Sequence, residues 1–201
     1  AEMYPVNPVK KETIGETEAV IGRWIAKTGR RNDYVIATKC SGENSSFVRE
    51  GQIVDAAVIR EACEGSLKRL KTGVIDLYQL HWPNRGSYHF RQIWEYDPSG
   101  QDRVSTVQNI EDVMGALMDL VDEGKIRAFG LSNESAWGTM QWLAAGEKTG
   151  GPRIAAMQNE YSALCRMPYD VDMAELGLNE DVTLLAFSPL ATGFVTGKYL
   201  D

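Results

Sequence analysis

The stretch VIDLYQLHWP, residues 74–83, decides how the rest of the chain is read. Val74, Ile75, Leu77, Tyr78 and Leu80 form an almost unbroken apolar run of strand length, as in a strand covered on both faces of a parallel sheet. The run then ends on His81, Trp82 and Pro83, so an apolar strand delivers an imidazole at its tip. The same build recurs in YVIATK (34–39), IRAFGLS (126–132), IAAMQN (154–159) and VTLLAFS (182–188), each preceded by turn or breaker residues. Between the runs lie amphipathic stretches of helix length at 16–27, 53–70, 110–123 and 135–147, with a weaker one at 170–178. Strands alternating with helices predict repeated βα units in one parallel sheet, and the sequence is expected to form a single domain over residues 1–201.

One connection breaks the rhythm. Residues 83–109, PNRGSYHFRQIWEYDPSGQDRVSTVQN, are too aromatic for a flexible linker and too irregular for an element. They read as a long ordered loop, either a lid or binding loop or one packed on its own aromatics.

Composition narrows the function. Apolar residues make up 43% of the chain and charged residues 24%, and a net charge of −7 with a pI near 5.0 argues against a phosphate-backbone partner. The basic groups Lys27/Arg30/Arg31 and Lys68/Arg69/Lys71 fall near predicted helix ends, where they complement the helix dipole. Cys40, Cys63 and Cys165 are odd in number and widely spaced, so neither a disulfide framework nor a zinc site is expected, and a reducing, cytoplasmic location is. No apolar run reaches the roughly 18 residues that span a bilayer, no signal peptide is expected, and the Asn-x-Ser matches at Asn44 and Asn133 are expected to be unmodified.

The polar residues at the strand ends are Lys39, His81, Ser132 with Asn133, Gln158 with Asn159, and Ser188. Singly, Lys39 reads as a snorkelling strand end and His81 as a satisfied core histidine. Jointly they mark one sheet edge, and in parallel α/β folds the site lies outside the carboxyl ends of the strands. A lysine, a histidine and a tyrosine together suit proton transfer at a carbonyl: the ammonium favours the phenolate, and a neutral imidazole orients the oxygen. Tyr4 is the candidate acid. A barrel aldolase with Lys39 as Schiff-base amine is the alternative chemistry. There is no GxGxxG and no GxSxG, GFVTGKY (193–199) is one residue short of a P-loop, and two histidines alone make no metal cluster.

IREACEGSLKRLKTGVIDLYQLHWP (59–83), LVDEGKIRAFGLSN (120–133) and LLAFSPLATGFVTGKYL (184–200) resemble the aldo-keto reductase superfamily, and within it the bacterial Tas-like members and the β subunits of voltage-gated potassium channels. The resemblance covers essentially the whole chain. It implies a (β/α)8 TIM barrel, here from the end of strand two through strand seven, that binds NADP(H) and reduces aldehydes or ketones. It implies Tyr4 as proton donor, Lys39 as the lysine that lowers its pKa, His81 as the residue orienting the carbonyl, and Trp82 as a wall of the substrate pocket. Ser132, Asn133 and Gln158 match the residues that hold the nicotinamide carboxamide, Phe187 the aromatic stacked on its ring, and Ser188, Pro189, Leu190, Thr192 and Lys198 the segment around the pyrophosphate.

The family's catalytic aspartate would fall two places before Ala1, and the first strand, most of the second, the eighth and the segment gripping the 2′-phosphate have no counterpart here. An arc lacking strands leaves open edges, so self-association or impaired activity is expected. The branch resemblance also allows a nucleotide-binding redox sensor with slow turnover.

Overall fold

A computed structural model describes residues 1–43, 45 and 47–200, so the sequon at Asn44 lies outside the described residues. Its strands are β1 (Ala37–Cys40), β2 (Ile75–Leu80), β3 (Ile126–Ser132), β4 (Ile154–Glu160) and β5 (Thr183–Phe187). Its α-helices are α1 (Glu16–Thr28), α2 (Ala56–Leu70), α3 (Arg103–Asp122), α4 (Ala136–Thr149), α5 (Met167–Asp170) and α6 (Met173–Asn179). All neighbouring strands are parallel, and their spatial order β1-β2-β3-β4-β5 is the order of the chain. Right-handed parallel crossovers that always step in one direction place the helices on one face, and the twist of the sheet curls the other face inward. The result is the five-stranded parallel sheet of βα units that the sequence pattern predicts, consistent with the arc of an incomplete (β/α)8 barrel that the family resemblance implies.

The core lies between strands and helices. Ile59 and Leu70 from α2, Met114, Leu117 and Leu120 from α3, and Ile75, Ile126, Phe129, Ile154 and Met157 from the sheet are all less than 2% exposed, or at that limit for Ile126. Each such side chain removed from water contributes about 1.5–3 kcal/mol. Short polar caps start the helices: Asp55 accepts from the Val58 N–H, Asp102 from Val104 and Ser105, and the Ser135 hydroxyl from Gly138.

Two boundaries differ from the sequence expectation for physical reasons. The helix expected to begin at residue 110 begins at Arg103, because Asp102 caps it there, and the irregular connection shrinks accordingly. The strand expected from residue 34 begins only at Ala37. Just before it, the Ile36 N–H donates to the Asp76 carboxylate at 2.7 Å, and the same carboxylate receives Arg31 at 2.7 Å and Arg127 at 2.5 Å. The helix expected at 170–178 is divided into α5 and α6.

Candidate active site

Because the strands run in parallel, with one register shift in the β3–β4 pairing between Phe129 and Gly130, their carboxyl ends share one rim. Ser132 pairs with Gln158, and His81 follows Leu80, which pairs with both Cys40 and Leu131. Tyr4, Lys39, His81, Phe90, Ser132, Asn133, Gln158 and Phe187 line a single cleft of about 120 Å³ at that rim. Seven of the residues singled out from the sequence thus meet in one place; Phe90, from the long loop, was given no role by sequence reasoning.

Tyr4 belongs to no regular element, so its position depends on anchors. The Glu2 N–H donates to the Lys39 carbonyl at 3.1 Å, and the buried Glu2 carboxylate accepts from the Ser41 N–H at 2.6 Å and from Arg49 at 2.7 and 2.9 Å. The Thr17 N–H donates to the Tyr4 carbonyl at 3.3 Å. Neither Glu2 nor Arg49 stood out in the sequence, since their pairing joins residues 47 positions apart.

The His81 ring is buried; the residue is held by its main chain, whose backbone N–H donates to the Cys40 carbonyl at 2.9 Å and whose backbone carbonyl accepts from Asn133 Nδ2 at 2.9 Å. Burial, followed by repulsion from the Lys39 ammonium, lowers the imidazole pKa to about 3, so the ring is neutral near pH 7. Its Nε2 lies 3.4 Å from the Tyr4 hydroxyl, and the two rings meet edge to face with centroids 5.5 Å apart.

The electrostatics of the other two groups differ from the sequence expectation. Burial pushes the Tyr4 phenol up, and it pushes the Lys39 ammonium down. No hydrogen bond joins Lys39 to Tyr4 among the described residues, so desolvation outweighs the expected lowering of the phenol by the lysine.

Asn133 sits at φ 53°, a left-handed conformation that asparagine tolerates better than most residues. The turn is held from both sides: its N–H donates to the Gln158 carbonyl at 3.1 Å and to Asn159 Oδ1 at 2.9 Å. Its Nδ2 also donates to Ser132 Oγ at 3.1 Å, and the Ser132 hydroxyl donates to the Gln158 carbonyl at 2.7 Å. Asn133 Oδ1 remains buried without a partner among the described residues. A buried acceptor left free on a cleft wall is costly unless something donates to it.

Phe187 forms a half-buried wall at the end of β5. Past it, Ser188, Pro189, Leu190, Thr192 and Lys198 follow in an irregular, largely exposed segment, and none of them lines the cleft. Ser188 and Thr192 take left-handed backbone conformations, and Lys198 lies over the Tyr199 ring at 4.9 Å. Trp82 stands beside His81, centroids 4.8 Å apart, and its Nε1–H donates to the Glu43 carbonyl at 2.9 Å. With Phe90 it lines an adjoining cavity of about 380 Å³, and Phe90 belongs to both spaces.

The cysteines stand apart from this chemistry: burial pushes the Cys40 thiol far up and the Cys63 thiol to about 12. Among the described residues no cluster of three metal-ligating side chains occurs, and no helix is long and apolar enough to cross a membrane.

A sequence model of the aldo/keto reductase family matches residues 1–201. Protein tas of Escherichia coli (strain K12) is 44% identical over 204 residues, covering all of this chain and 57% of its own length. An aldo-keto reductase of Babesia bovis is 38% identical over 177 residues, 83% of this chain and 61% of that protein. The aldo-keto reductase yakc [NADP(+)] of Schizosaccharomyces pombe is 33% identical over 192 residues, 92% of this chain and 48% of that protein. The chain therefore spans about half to three fifths of the length of these relatives.

Proposed function

The chain belongs to the aldo/keto reductase family, a family of oxidoreductases, and from that premise we propose that the protein is an NADP(H)-dependent enzyme reducing the carbonyl of a small aldehyde or ketone. The observation that carries the reading is the convergence of the Tyr4 hydroxyl and His81 Nε2 on one cleft. At 3.4 Å they are too far apart for a strong O–H···N bond, but well placed for both to donate to one oxygen about 2.8 Å from each.

His81, neutral near pH 7, donates through Nε2 and holds the carbonyl oxygen without adding charge to the cleft. Tyr4 keeps its proton until the oxygen becomes basic, as a phenol raised by burial should, and then passes it to that oxygen. Lys39, in the same cleft, supplies the positive charge that stabilises the phenolate left behind. NADPH supplies the hydride when bound. The residues present fit its nicotinamide end: the unpartnered Asn133 Oδ1 and the half-buried Gln158 suit a carboxamide, and Phe187 offers a flat apolar wall. Ser188, Pro189, Leu190, Thr192 and Lys198 would take the pyrophosphate, the open backbone and the lysine suiting an anion. Trp82 and Phe90 would receive the substrate's apolar part.

The relative whose name carries NADP(+) supports the choice of nucleotide. The three free cysteines support a cytoplasmic location, and the net charge of −7 supports a small-molecule partner over nucleic acid or an anionic membrane surface. Among the described strands β1 and β5 each pair on one side only.

The test is a titration of the full-length protein with NADPH, followed by tryptophan fluorescence, since Trp82 adjoins His81. Micromolar binding followed by turnover of small aldehydes is expected. A folded protein that neither binds NADPH nor oxidises it in the presence of carbonyls would sink the reading.

A further inference from the structure

The connection between β2 and α3 carries Trp82 and Phe90, yet it contains no α-helix or strand. Asn84 ties its start to Val54, accepting from the Val54 N–H at 2.9 Å and donating to its carbonyl at 2.8 Å, and beyond it stands a buried ion pair reaching 49 positions along the chain: Arg85 Nη1 and Nη2 donate to the Glu134 carboxylate at 3.0 and 2.5 Å, with side chains 9% and 2% exposed. The arginine is held on every side. Nη2 also donates to the Ser135 hydroxyl at 3.1 Å, and the guanidinium lies over the Trp137 ring at 5.0 Å. The Arg85 carbonyl accepts from Gln101 at 3.3 Å. Further along the loop, the buried ring of His89 meets the Glu134 carbonyl through Nε2 at 3.1 Å, one residue before Phe90.

Two features make this more than a chance surface contact. Glu134 directly follows Asn133, so the acid that clamps the loop is covalently joined to the turn that presents the free Oδ1. Gly138 stands inside α4, where alanine is the better helix former, but a Cβ there would collide with Arg85 Nη2 and Glu134 Oε1. The helix gives up propensity where the pair needs room.

We propose that Arg85 and Glu134 are positioning residues: their ion pair locks the loop of residues 83–101 over the cleft, ties it to the Asn133 turn, and so sets the affinity for the carbonyl substrate through Phe90 and Trp82. The inference rests on the reductase reading for its kinetic consequence, and on the geometry alone for the locking of the loop. Removing one partner strands the other charge in a dry site, so the loop loosens. A wall that is no longer fixed weakens substrate binding far more than it slows a chemical step carried by Tyr4 and His81.

The experiment compares Glu134→Gln, Gly138→Ala and the conservative Arg85→Lys in the full-length protein, measuring KM and kcat separately together with backbone hydrogen exchange and the unfolding midpoint. For Glu134→Gln and Gly138→Ala, KM is expected to rise about tenfold or more while kcat stays within about threefold. Exchange is expected to speed up within 84–101 and to stay unchanged in β2 and β3, and Arg85→Lys should fall between them and wild type. Folded variants with a lowered midpoint but unchanged KM and unchanged loop exchange would make the pair merely structural and overturn the proposal. So would a Gly138→Ala protein that is stabilised, as helix propensity alone predicts, with its loop still protected. A wild-type protein without carbonyl turnover would sink the reductase reading instead, and the exchange measurement would still decide the locking.

Discussion

Replacing Tyr4 with phenylalanine isolates one hydroxyl. That hydroxyl has a single hydrogen-bond partner among the described residues, His81 Nε2 at 3.4 Å, which is long for a hydrogen bond. The ring's edge-to-face contact with His81 survives the substitution. Because the residue is half-buried and the contact weak, folding stability should change by less than about 1 kcal/mol, or about 2–4 °C in unfolding midpoint for a domain of this size. The chemical step is a different matter. Without a proton donor the developing alkoxide is met only by His81, and general acid catalysis of this kind contributes about 10²–10⁴-fold, or about 3–5 kcal/mol of barrier. The assay is single-turnover oxidation of NADPH with a small aldehyde, run beside a fluorescence titration of NADPH. The rate should fall by at least about 10² with nucleotide affinity within about threefold. A rate within threefold of wild type would refute the assignment of Tyr4, and an equal loss of rate and nucleotide affinity would show that the hydroxyl serves binding and not proton transfer.

Three further outcomes follow from named contacts. His81 is neutral in the fold down to about pH 3 but protonates near 6.5 when unfolded, so the unfolded chain binds more protons between those values and stability falls as pH drops from 6.5 toward 3. Urea unfolding of wild type and His81→Asn at pH 7 and 4.5 should show a smaller acid loss in the variant; equal losses would refute the buried neutral ring. Asp76 receives the Ile36 N–H, Arg31 and Arg127, and despite its burial these hold its carboxyl below the usual range. Its contribution is thus present above about pH 4 and lost as pH falls through its lowered value; Asp76→Asn should cost about 2 kcal/mol at pH 7, read from denaturant midpoints, and the difference from wild type should shrink as pH is lowered below about 4. In β3, a Cβ on Gly130 would meet the Ala156 carbonyl oxygen at 2.8 Å, so Gly130→Ala should destabilise the sheet by about 1–3 kcal/mol in thermal unfolding and misplace Ser132; an unchanged midpoint would mean that β3 and β4 can part without penalty.

The sequence by itself determined the strands and the rim. Apolar runs of strand length ending in Lys39, His81, Ser132 and Gln158 follow from local composition and period, and such patterns persist in the fold because burying them dominates its energetics. The residues of the resemblance met in one cleft, except the segment after Phe187 and Trp82, which lines the adjoining space. Only the tertiary structure decided what holds that cleft in shape. Glu2 with Arg49, Arg85 with Glu134 and Asp76 with Arg31 are ordinary charged residues in sequence, far apart along the chain and without any periodic signature. The same holds for the sign of the shifts at Tyr4 and Lys39. A residue type shows what a group can do, whereas its hydration and its partners exist only once distant segments have packed around it.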